Sequence, residues 1–316
     1  MQRQLLPALG RLHRALAGKG KEFDKVVKIG RTHLQDATPV RLGQEFGGYA
    51  RQIELGMQRI TGAQRALSEV ALGGTAVGTG LNTHPRFSSR VMALVSKQVG
   101  VKLEEARNHF EAQSAQDALV EASGALRVVA VSLMKIANDV RWLGSGPRCG
   151  LGELILPETQ PGSSIMPGKV NPVIAESVTM VAAQVIGNDV TITVGGQAGN
   201  FELIVMLPVM AHNLLQSVEL LARAAENFSV RCIEGLRADE QRCKDFIEQS
   251  LAMCTALAPE IGYDAAAAIS KEAYKTGRTV REVAVSKQVL PLKTLDLLLD
   301  PWRMTKPGGP VGSAGG

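Results

Sequence analysis

Between Ser163 and Pro172 the chain places two serines, a lysine and a helix-start signal within ten residues, in the run Gly162-Ser163-Ser164-Ile165-Met166-Pro167-Gly168-Lys169-Val170-Asn171-Pro172. Gly162 and Gly168 bracket the serines and give the backbone room to move. Asn171 can cap free backbone N–H groups and Pro172 suits a first helical position, so a helix is expected to start there. Such an N-terminus favours anions, and Lys169 adds its own positive charge beside it. The segment therefore reads as a mobile catalytic loop that binds an anion. A second group of polar residues, Arg31-Thr32-His33 with Gln35-Asp36, offers a histidine beside hydroxyl and amide groups.

Other familiar chemistries do not match. The glycine-rich run from Gly73 to Gly80 lacks the Gly-Lys-Ser/Thr ending of a phosphate-binding loop, and Ser163 is not in a Gly-x-Ser-x-Gly elbow. Cys149, Cys232, Cys243 and Cys254 are too few and too widely spaced for a disulfide framework, and no pair has zinc or iron-sulfur spacing. They are expected to be small core residues in a reducing compartment. A net charge of +5 without a polybasic run points to anionic small molecules rather than nucleic acid. The amino terminus shows no secretory hydrophobic block, so a cytoplasmic place is expected, or a mitochondrial one in a eukaryotic source. Val178 to Val194, the most apolar stretch, is interrupted by Gln184, Asn188 and Asp189 and is read as a core helix rather than a membrane span.

The elements that must position these residues are long helices. Phe46, Ile53, Ile60 and Leu67 recur every seven residues, so a helix is expected from about Val40 to Val70, with Thr38-Pro39 as its start. Further stripes run through Leu119, Leu126, Leu133, Ile136 and Val140, from Pro172 to about Val194, and from Pro208 to Phe228. An apolar content of 45% with only 4% aromatic residues suits close helix packing. The expected fold class is all-α: a long-helix bundle over 1–240, a small helical domain over 241–305, and a Gly/Pro-rich tail over 306–316. So much apolar stripe in so few helices predicts packing against copies of the same chain.

The 162–172 run resembles the signature of the fumarase/aspartase superfamily, and its Pro-Gly-Lys-Val-Asn form is most similar to class II fumarate hydratases. Lys28 to Pro39 (KIGRTHLQDATP), Gly73 to Pro85 (GGTAVGTGLNTHP), Trp142 to Gly152 (WLGSGPRCGLG) and Asn200-Phe201-Glu202-Leu203 resemble the same family. Aspartases usually carry Gln where this chain has His33, so water is favoured over ammonia as the added group. Departures fall at His109, Ile204 and Leu207, where similar fumarases carry Lys, Asn and Arg.

The resemblance implies a set of roles. Ser163 would be the base that removes a carbon-bound proton, with Ser164, Lys169 and Asn171 binding substrate. Thr32 would bind a substrate carboxylate, His33 would activate or bind the water, and Glu176 would orient that imidazole. The implied reaction is the reversible hydration of fumarate to (S)-malate, with no metal and no organic cofactor. The implied assembly is a homotetramer whose sites draw on three subunits. Met1 corresponds to a position inside the family's first long central helix, so the family's amino-terminal domain is expected to be absent. A truncated subunit that works only with full-length partners, and an aspartate ammonia-lyase, are the alternative expectations.

Overall fold

The chain was described in a computed structural model over residues 1–160 and 162–308. Among the described residues there are twelve α-helices: α1 Leu5–Glu22, α2 Leu42–Ala66, α3 Phe87–Val99, α4 His109–Ser114, α5 Asp117–Leu143, α6 Val173–Gly196, α7 Leu207–Phe228, α8 Glu240–Gln249, α9 Ala258–Ile261, α10 Tyr263–Thr276, α11 Val280–Ser286 and α12 Leu292–Leu298. One hairpin of functional interest joins β1 Val27–Thr32 to β2 Gln35–Arg41. The expected all-α class holds, with short strand pairs added. The expected tail lies mostly beyond the described residues.

The described residues group into two compact units, one within 1–15, 49–141, 158–160 and 162–234, the other within 16–48, 142–157 and 235–308. In the first, the predicted stripes become buried helix faces. Ile53 and Ile60 of α2, Leu126, Leu133, Ile136 and Val140 of α5, and Leu214, Leu221 and Phe228 of α7 are all buried. Polar pairs fix how these helices align. Asp189 of α6 accepts from Ser123 Oγ at 2.7 Å and from Arg127 Nη1 at 2.7 Å on α5. Asn188, one residue earlier, donates to Ser217 Oγ at 3.0 Å and to Gln216 Oε1 at 2.9 Å on α7. Buried polar groups carry a desolvation cost unless each finds a partner, so these bonds disfavour any sliding of α6 along its neighbours. By length and composition α6 is apolar enough to cross a bilayer. Its buried side nevertheless carries this Asn188–Asp189 pair.

The long helices also leave apolar side chains outside. Val131 of α5, Met180, Val190 and Val194 of α6 and Leu215 of α7 are each more than half exposed. Isolated apolar residues are common on surfaces, whereas a series along three long helices marks a face suited to burial against protein.

In the second unit, Ile247, Leu257, Ile269, Val280, Val283, Leu295 and Leu299 form a core under shorter helices. Gly277 ends α10 in the left-handed region (φ 68°), and Gly262 sits at φ 83° ahead of it. Thr279 and Glu282 form a reciprocal capping box that starts α11.

One expected helix start is corrected. Thr38 and Pro39 are strand residues, Pro39 pairing with Ile29, and α2 begins only at Leu42. The heptad stripe told where α2 buries a face, but extended backbone and a helix N-terminus both accept a Thr-Pro pair. At 25 residues α2 is about 37 Å long rather than the 45 Å that the longer reading implies. Cys232 and Cys243 are buried as expected; Cys254 is half-buried, and Cys149 is exposed.

Candidate active site

The predicted site residues fall in both units. The first unit holds the Ser163 loop. Its two ends touch: Asn171 Nδ2 donates to the Gly162 carbonyl at 3.0 Å. A Cβ added to Gly162 would lie 1.3 Å from the Lys169 carbonyl oxygen, so no other residue fits that neck as it stands. Gly168 turns the chain at φ 79°, a region L-residues seldom adopt. Within the loop, Ser163 Oγ accepts from the backbone N–H groups of Met166 at 3.1 Å and Ile165 at 3.3 Å. Those donors stabilise negative charge on that oxygen, which is what a serine acting as a base requires. Ser164 and Lys169 are exposed on the same loop, as are the apolar Ile165, Met166 and Val170.

The helix after this loop starts differently from the expectation. Pro172 takes the cap position with no side-chain cap bond, Val173 is the first helical residue, and the Pro172 carbonyl accepts from Glu176 N at 3.0 Å. Asn171 is thus spent on closing the loop neck and does not cap α6. The free N–H groups of the first turn remain a positive end beside the loop. Glu176, in that first turn, lies 3.9 Å from Arg141 Nη2 of α5.

The second unit holds Thr32 and His33 at the hairpin tip. Thr32 pairs with Gln35, which leaves His33 and Leu34 as a two-residue turn, with φ of 55° and 60°. Positive φ at both central residues matches the hairpin turn whose twist suits the flanking strands. Asn-Gly is the usual occupant; holding two residues with side chains there costs about 1–2 kcal/mol each. The whole tip from Thr32 to Asp36 is exposed.

Behind the tip lies a charge cluster that the sequence reading missed. Arg31 Nη1 and Nη2 donate to the two carboxylate oxygens of Glu153 at 2.7 and 3.2 Å. Lys28 Nζ sits 3.5 Å from the same carboxylate and 3.1 Å from Glu45 Oε1, and it donates to the Ile29 carbonyl at 2.8 Å. A usable signal existed, since a lysine inside the apolar run Val26-Val27-Lys28-Ile29 must find a buried counter-charge if that run forms a strand. Among the described residues, no three His, Cys, Asp or Glu side chains gather as a metal site would require.

Sequence and structure comparisons identify the family. A model of the lyase family matches residues 1–187, more than half of the chain, and the chain belongs to that family. A model described as the fumarase C C-terminus matches residues 253–306. The mitochondrial fumarate hydratase of Saccharomyces cerevisiae is 53% identical over 97% of this chain and 63% of its own length. The class II fumarate hydratase of Nitrosomonas europaea is 52% identical over 97% of this chain and 66% of its own. The crystal structure of a class II fumarase from Schistosoma mansoni superposes with a TM-score of 0.92 at 37% identity, covering 96% of this chain and 66% of that one. The chain thus spans less than two thirds of the length of these relatives.

Proposed function

We propose that this chain acts as a subunit of a fumarate hydratase, interconverting fumarate and (S)-malate. The observation that carries the reading is Ser163 Oγ, held by two backbone N–H groups on a loop that also carries Lys169. In the malate-to-fumarate direction Ser163, as the alkoxide that its two N–H donors favour, takes a proton from the carbon next to one carboxylate and becomes the neutral hydroxyl. The two electrons left behind spread onto that carboxylate as an aci-carboxylate, and Lys169, Ser164 and the N–H groups at the start of α6 meet the added charge. The hydroxyl on the neighbouring carbon then leaves as water, helped by a proton from the His33 side, while Thr32 binds a substrate carboxylate. Glu176 orients the histidine. Asn171 uses one amide hydrogen on Gly162, so its second remains for a substrate carboxylate. Closure of the loop, which carries the exposed Ile165 and Met166, would exclude water.

The family resemblance implies sites completed by other copies of the chain, so that the Ser163 loop and the His33 turn of one chain serve different sites. We propose a homotetramer, or assembly with full-length subunits, held by the exposed apolar faces of α5, α6 and α7. The proposed compartment is the cytoplasm, or the mitochondrion in a eukaryotic source.

The test follows absorbance of fumarate on adding (S)-malate to purified chain, alone and co-assembled with full-length fumarate hydratase subunits made inactive, with the assembly's mass measured in parallel. Fumarate formation that Ser163→Ala abolishes without changing the mass supports the reading. Turnover untouched by Ser163→Ala, no turnover in either preparation, or ammonia released from aspartate instead would overturn it.

A further inference from the structure

The carboxylate of Glu153 is wholly buried and the ammonium-bearing Lys28 is 1% exposed. Charges removed from water this completely persist only where opposite charges and hydrogen bonds meet them. Here two cations, Lys28 and Arg31, meet the carboxylates of Glu45 and Glu153. Glu153 is also fixed from behind. Its carbonyl accepts from Asp239 N at 3.0 Å, and Arg242 donates to the Leu151 and Gly150 carbonyls at 2.9 Å each.

In a regular strand, residues 28 and 31 point to opposite faces. The register of the hairpin shifts between Ile29 and Arg31, and that bulge brings Arg31 to the same carboxylate as Lys28. Gly30 sits in the bulge, where a Cβ would be 2.5 Å from the Thr38 carbonyl oxygen. Arg31 is the last anchored residue before Thr32, and the two residues after Thr32 hold positive φ. A turn held in a sparsely populated conformation persists only when its surroundings over-determine it.

We propose that Glu153 is a positioning residue: through its two-pronged bond to Arg31 it locks the bulged strand and so sets where Thr32 and His33 stand. The proposal deepens the reading of that turn as the carboxylate- and water-binding half of a fumarate hydratase site, and rests on it for its effect on turnover. Two substitutions probe it. Arg31→Lys keeps the charge balance and loses the fork; Glu153→Gln keeps the shape and removes one negative charge.

The experiment uses the full chain labelled with 15N-histidine and 15N-tryptophan. The chain has five histidines, and the His33 amide is assigned by its disappearance in His33→Asn. Trp302, whose ring lies 5.4 Å from the Arg41 guanidinium in the same unit, reports on the unit's general rigidity. The expected result is a clear fall in the 1H–15N NOE at His33 in both variants with the Trp302 indole unchanged, and a kcat lower by on the order of 100-fold. An unchanged His33 NOE in Arg31→Lys overturns the proposal even if the parent chain hydrates fumarate. Loosening of His33 and Trp302 together also overturns it, since Glu153 would then serve the whole unit. Selective loosening of His33 in a chain that never hydrates fumarate supports the positioning role and sinks the functional reading instead.

Discussion

Gly30→Ala tests whether the hairpin bulge is as tightly specified as its contacts indicate. Gly30 is not among the positive-φ residues, so alanine meets no left-handed-backbone penalty there and the folded-state cost is steric. The new Cβ would lie 2.5 Å from the Thr38 carbonyl oxygen and 3.3 Å from Val40 Cγ1. The first neighbour is backbone, which cannot rotate away. To restore ordinary van der Waals contact, β2 must retreat by about 0.9 Å at Thr38. Overpacking of this kind costs about 1–3 kcal/mol, offset by the roughly 0.4–1 kcal/mol that alanine gains by restricting the unfolded chain. The net expectation is a loss on the order of 1–2 kcal/mol. A displacement of that size at the base of the turn would also lower kcat by on the order of 100-fold. The assay is urea unfolding beside Gly18→Ala, an exposed mid-helix glycine of α1 with nothing within 4 Å of its added Cβ. Gly18→Ala should be stabilised by about 0.5–1 kcal/mol. If Gly30→Ala matched it, the packing argument for the bulge would be refuted.

On the proposed mechanism, in which Lys169 both binds a carboxylate and meets the charge developed in the reaction, Lys169→Met should raise KM and lower kcat together; unchanged constants would remove Lys169 from both roles. Ser123→Ala takes one of two donors from the buried Asp189 carboxylate and should cost about 1.5–3 kcal/mol in urea unfolding. A loss under 0.5 kcal/mol, on the order of a surface substitution, would mean that the α5–α6 alignment does not depend on it. Burial pushes the Cys232 thiol from 9.0 up to about 12. A folded-state value raised above the unfolded one gives stability that is full below pH 9 and is lost as pH rises towards 12. Cys232→Ala should therefore flatten the fall of unfolding free energy above pH 9, by up to about 1.4 kcal/mol per pH unit. Identical slopes in the two proteins would argue against the raised thiol.

The long helices were legible because their signal is local and repeated. Phe46, Ile53 and Ile60 mark one face of α2 wherever its partners stand, and Pro208 marks the start of α7 from its own chemistry. The serine loop was legible for a related reason: its residues lie within a single run, so their grouping needs no knowledge of the fold. What Thr38, Pro39 and Asn171 do was not. Each has two good local uses, as cap or as strand and neck residue, and the choice depends on which backbone lies opposite. The pairing of Pro39 with Ile29 and the closing bond from Asn171 to Gly162 exist only once both segments are in place. The cluster behind His33 is the clearest case, since Glu153 stands more than 120 residues from Arg31 in the chain. Sequence by itself determined the helical class and the grouping of the serine loop. Tertiary structure alone decided which buried charges meet, because their desolvation must be offset by partners that local sequence cannot name.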